Sequence, residues 1–120
     1  MPERPKFTKT SPEIVERFGA AIERLGAPDV TQRKMFGYQC AWIAGNMTTG
    51  LFGDEWWVRV SEPERDRVLD LGGHPFAPMP GKSAMGRYVV LPEAVVSNSA
   101  DLDSWLARAI EFTRTLPPKK

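Results

Sequence analysis

The residues with the clearest chemical potential lie between His74 and Arg87. His74 is the one histidine of the chain, and Lys82, Arg87 and Tyr88 follow it within fifteen positions. Lys82 and Arg87 are suited to holding a phosphate or carboxylate, and His74 and Tyr88 to donating protons to it. These four residues define one candidate: a small-anion-binding or enzymatic domain built on a loop from His74 to Arg87. Gly81-Lys82-Ser83 looks like the end of a phosphate-binding loop. The full motif requires glycine where Phe76 stands, and Pro78 and Pro80 remove amide donors that a phosphate cradle uses, so it is a false match. Ser83 between Gly81 and Gly86 misses the nucleophile-elbow spacing by one residue. One histidine and one cysteine build neither a usual zinc site nor a disulfide. No metal, cofactor or catalytic set is expected. Cys40 shares a strand face with Trp42 and reads as a small buried hydrophobe. Glu62, Glu64, Asp66 and Asp70 alternate with Arg65 and Arg67, which describes a solvated helix rather than a carboxylate pair.

A second candidate comes from the aromatics. In Trp56-Trp57-Val58-Arg59-Val60 the period of two puts Trp56, Val58 and Val60 on one face and Trp57 and Arg59 on the other. Three helices hardly cover both faces of a five-stranded sheet. One face is therefore expected to stay partly open, with Trp57 and Arg59 on it as partner-binding residues. The competing reading places Trp57 under the short helix or a loop.

The elements that position these residues are legible in outline. Ser11-Pro12-Glu13 opens a helix whose stripe is Ile14, Val15, Phe18, Ala21, Ile22 and Leu25, and Gly26 and Pro28 stop it. A meander of four strands follows: Met35-Phe36 ending at Gly37, then 39–44, 47–52 and 55–60. Its turns are at Gly45-Asn46 and Gly53-Asp54. Ser61 and Glu64 form a capping box for a short helix to about Leu71. After the loop from His74 to Arg87 comes a strand at Tyr88–Leu91, closed by Pro92. A final helix capped at Asn98 or Ser99 carries the stripe Leu102, Trp105, Leu106, Ala109, Ile110 and Thr113. The order αββββαβα is an α+β fold, an antiparallel meander sheet of about five strands with flanking helices. Residues 1–10 and 117–120 read as tails around a single domain at 11–116.

Composition bounds the partners. The chain has 120 residues, the size of one domain, with 42% hydrophobic and 26% charged residues, so most of it is expected to fold. A net charge of +1 gives direct nucleic-acid binding no support. No apolar run approaches the roughly 20 residues that span a bilayer. The N-terminus leads into no apolar signal segment, and a single cysteine fits a reducing cytoplasm.

Several short motifs, taken in order, resemble one family. They are Lys34-Met35-Phe36-Gly37-Tyr38, Gly45-Asn46-Met47, Gly50 to Asp54, and Trp57-Val58-Arg59-Val60. Pro75-Phe76-Ala77-Pro78-Met79, Gly81-Lys82 and Tyr88-Val89-Val90-Leu91-Pro92 complete the set. Over roughly Thr31 to Leu116 the chain is similar to the N-terminal domain of the TfoX/Sxy family. The resemblance implies a secretion-chaperone-like α+β architecture. In the two-domain regulators of that family it implies co-activation of competence genes with the cyclic-AMP receptor protein. Those regulators carry a second, C-terminal domain, and a stand-alone single-domain member is expected here. The family supplies no catalytic residues. The resemblance and the aromatic face favour a non-enzymatic interaction domain, regulatory in role, that binds a protein partner or itself as a homodimer.

Overall fold

The computed structural model describes residues 11–35, 37–76 and 85–117; of residues 35 and 85–87 it describes only the backbone. The tail at 1–10, Phe36, Lys82 and the rest of 77–84 lie outside the described residues. The elements are α1 (Pro12–Leu25), β1 (Val30–Met35), β2 (Tyr38–Ile43), β3 (Asn46–Phe52), β4 (Glu55–Arg59), α2 (Glu62–Asp70), β5 (His74–Phe76), β6 (Met85–Val90), α3 (Glu93–Val96) and α4 (Ser99–Arg114). They form an α+β fold around one antiparallel sheet of order β1-β2-β3-β4-β6-β5.

The helix starts follow from their caps. The Ser11 hydroxyl accepts from the Ile14 amide, Ser61 from the Glu64 amide and Asn98 from the Asp101 amide. Gly26, left-handed at φ 59°, ends α1. The sheet has six strands rather than five, because His74-Pro75-Phe76 adds an edge strand to β6. Proline fits there: an edge strand leaves one side of its backbone without a ladder partner. The first and last residues of the expected loop from His74 to Arg87 are therefore strand. The β2–β3 turn also falls one residue earlier than expected. Ala44 (φ 50°) and Gly45 (φ 84°) are both left-handed, as a type I′ hairpin requires.

The two faces of the sheet are packed differently. One is covered by α1, α2 and α4, and its core joins Phe18, Ala21, Ile22, Val68, Leu102 and Leu106 of the helices to Leu51, Trp56, Val58 and Val89 of the strands. A bulge between Ala41 and Trp42 moves the β2–β3 register from Ala41↔Thr49 to Trp42↔Met47 and leaves Thr48 without a partner on β2. Thr48 and Thr49 are both buried, and the Thr48 hydroxyl lies 2.9 Å from that of Thr113 on α4. Among the described residues, the other face carries a cluster drawn from strands alone: Cys40, Trp57, Phe76, Tyr88 and Val90, with Trp42, Met47 and Phe52 half-buried around it.

Candidate functional site

The strand-only face is built by the period of two in β4 and β6. The registers Trp57↔Val90 and Arg59↔Tyr88 set these four side chains together on that face. Trp57 is not the exposed contact residue expected. It is 1% exposed. Phe76 of β5 stacks on its ring at 5.5 Å and 28°, and Tyr88 meets it edge-on at 4.9 Å. Gly50 opposite it on β3 leaves the room its indole fills: a methyl there would lie 2.5 Å from Trp57 Cζ2. Trp57 thus anchors the second core. What the sequence hid was β5, whose phenylalanine supplies the lid.

Arg59 is on the face as expected and is half-buried. Its guanidinium carbon lies 5.6 Å from the Tyr88 ring centroid, and its Nε is buried with no hydrogen-bond partner among the described residues. A second arginine is held in the same way. Arg33 of β1 lies 4.9 Å over the Trp42 ring, and Trp42 Nε1 donates to the Arg33 carbonyl oxygen at 3.4 Å. Arg17, Arg24, Arg65, Arg108 and Arg114 each meet a carboxylate within 4.0 Å. Arg33 and Arg59 meet aromatic rings and, among the described residues, no carboxylate. Stacking on a ring holds a guanidinium in place while leaving its N–H edge open to an acceptor. The Arg33–Trp42 pair was missed because β1 was placed at Met35-Phe36. Val30-Thr31-Gln32-Arg33-Lys34-Met35 has four polar residues in a row and carries no apolar alternation that would mark it as a strand.

His74 faces a carboxylate. It sits on β5, 54% exposed, and its Nε2 is 3.1 Å from Glu55 Oε2. The cleft beside it, about 500 Å³, is bordered by Glu13, Asp54, Glu55 and Glu93. Four carboxylates give that cleft the wrong sign for the expected phosphate or carboxylate. Tyr88 is buried in the aromatic cluster and packs on Trp57 and Phe76. Arg87 has only its backbone described, in β6, and Lys82 lies outside the described residues. The described residues therefore do not bring His74 and Tyr88 to a common anion.

Cys40 is 1% exposed, and burial pushes its thiol up to about 12, a backbone hydrogen bond from Ala41 and the Arg33 charge opposing only in part. A thiol held neutral is a poor nucleophile. Among the described residues no group of three or more His, Cys, Asp or Glu is placed to hold a metal ion. None of the described helices is long and apolar enough to cross a membrane.

In comparison with known families, the model of the TfoX N-terminal domain matches residues 22–113. That span runs from inside α1 to the last turn of α4 and takes in all six strands. No curated protein matches the chain.

Proposed function

We infer that this chain, which belongs to the TfoX N-terminal domain family, is a non-enzymatic protein-interaction domain with a regulatory role, acting in the cytoplasm on a protein partner or a second copy of itself. One observation carries the reading. The strand-only face presents half-buried Trp42, Met47 and Phe52 beside two ring-stacked arginines that meet no carboxylate among the described residues. Half-buried aromatic and methionine side chains with arginine are the composition enriched in protein interfaces. The rigid sheet beneath them is preorganised, so binding there orders little.

Affinity capture of the tagged chain from its native cells, with mass spectrometry of what co-purifies, tests this. The reading expects a stoichiometric protein partner, or the chain's own dimer by sedimentation. Recovery of a monomeric chain alone would contradict it.

A further inference from the structure

The interaction reading leaves the partner's chemistry open, and the two stacked arginines narrow it. Arg33, Cys40, Gly50 and Trp57 form one row across β1, β2, β3 and β4. Arg59 lies two residues beyond Trp57 on β4. Trp42 and Met47, a register pair, lie between the two arginines on the inner strands. Three strand spacings of about 4.8 Å and two residues at about 3.4 Å set the Arg33 and Arg59 Cα atoms about 16 Å apart. The band thus reads cation, half-buried apolar pair, cation. The acids nearest in the strand order do not serve it, since Glu55 at the far end of β4 faces His74.

We propose that this band docks an extended, acidic segment of a partner protein that crosses β1 to β4, with carboxylates on Arg33 and Arg59 and an apolar side chain on Trp42 and Met47. This rests on the interaction-domain reading and deepens it. An extended chain advances about 3.4 Å per residue, and its alternate side chains share a face. Two acids four residues apart lie about 14 Å from each other on that face, within the reach of two arginine side chains. The residue midway between them faces the same way and lands over Trp42 and Met47. The segment has the pattern acid-x-apolar-x-acid. The guanidiniums supply bidentate, charge-assisted hydrogen bonds through their terminal nitrogens. A free anion satisfies one arginine only, and a nucleic-acid base finds Tyr88 and Trp57 too buried to stack on.

Fluorescence anisotropy with the full chain tests this. The probe is a labelled peptide containing Glu-Ser-Phe-Ser-Glu; its controls are Gln-Ser-Phe-Ser-Gln and the respaced Glu-Glu-Ser-Phe-Ser. The spaced acidic peptide is expected to bind at least about tenfold more tightly than either control, less so as salt rises. Arg33→Gln and Arg59→Gln are each expected to weaken it by about tenfold or more, with Arg59→Lys between. Arg33 is exposed, so Arg33→Gln reports on binding even where a change at Arg59 disturbs the sheet. Equal binding of acidic and amide peptides, no binding, or unaltered binding by both arginine variants would overturn the proposal. A stoichiometric captured partner held equally well by the arginine variants would sink this surface and leave the interaction reading standing. Failure of both the peptide and the capture would sink both.

Discussion

If Trp57 anchors the second core, its fit against Gly50 has a measurable energetic signature. Trp57→Ala removes a 1%-exposed indole held between Phe76 and Tyr88. Such truncations cost about 3–5 kcal/mol. At about 2.1 cal/mol/K per residue, 120 residues lose about 4 °C of melting temperature per kcal/mol. The variant should therefore melt about 12–20 °C lower. Gly50→Ala places its methyl 2.5 Å from Trp57 Cζ2, 2.9 Å from Cε2 and 3.1 Å from the Gln39 carbonyl oxygen. Two of these three contacts are with the indole, so overpacking should cost about 1–3 kcal/mol. In the Trp57→Ala background the clash with the indole is gone. The same Gly50→Ala change should then cost about 1 kcal/mol or less, because alanine loses less chain entropy than glycine. Urea unfolding of the wild type, both single variants and the double variant closes the cycle. The expected coupling is about 1–3 kcal/mol, with the double variant more stable than additivity allows. Equal costs of Gly50→Ala in both backgrounds would refute the packing argument.

Three further outcomes follow from the same structure. Gly73→Ala puts a methyl 2.4 Å from the Val90 carbonyl oxygen and 2.6 Å from Val68 Cγ1, so it should cost about 2 kcal/mol or more in urea unfolding; a neutral change would contradict the close approach of α2 and β6. The Thr113 hydroxyl lies 2.9 Å from Thr48 Oγ1 and 2.7 Å from the Ala109 carbonyl oxygen. Thr113→Val should cost about 1–3 kcal/mol, and adding Thr48→Val should recover part of it by removing the stranded hydroxyl. Cys40 binds its proton more tightly folded, at about 12, than at its ordinary 9.0, so stability present below pH 9 is lost as pH rises from there towards 12. The urea midpoint of the wild type should fall more steeply over that interval than that of Cys40→Ala; parallel slopes would count against the burial of the thiol.

What the sequence could reveal was set by local patterns. The Ser11 and Ser61 caps, the stripes of α1 and α4 and the Gly53 turn depend on residues within one or two turns of each other, and they stand where expected. β5 was hidden because three residues containing a proline carry no strand signal; its pairing comes from β6, nine to sixteen positions on. The burial of Trp57 followed from that omission, since Phe76 covers it. The bulge at Thr48 was equally hidden: Met47-Thr48-Thr49-Gly50 alternates in no visible way, and only α4 opposite explains two successive inward threonines. At the site, Arg59 was legible from the alternation in β4. Arg33 was not, because β1 is polar and lies at a sheet edge, where packing exerts little selection for a hydrophobic pattern. The sign of the His74 cleft was hidden too, because Glu13, Asp54, Glu55 and Glu93 come from four separate segments.

Whether the strand-only face or the helical layer meets the partner is decided by a purified partner and three forms of the chain. Isothermal titration would compare the wild type, the double variant Arg33→Gln/Arg59→Gln, and Arg24→Gln, which removes a bidentate pair with Asp103 between α1 and α4. The double variant is expected to lose about a hundredfold or more in affinity. Arg24→Gln should bind as the wild type does. Loss of binding in Arg24→Gln with the double variant unaffected would contradict that expectation and move the interface to the helices.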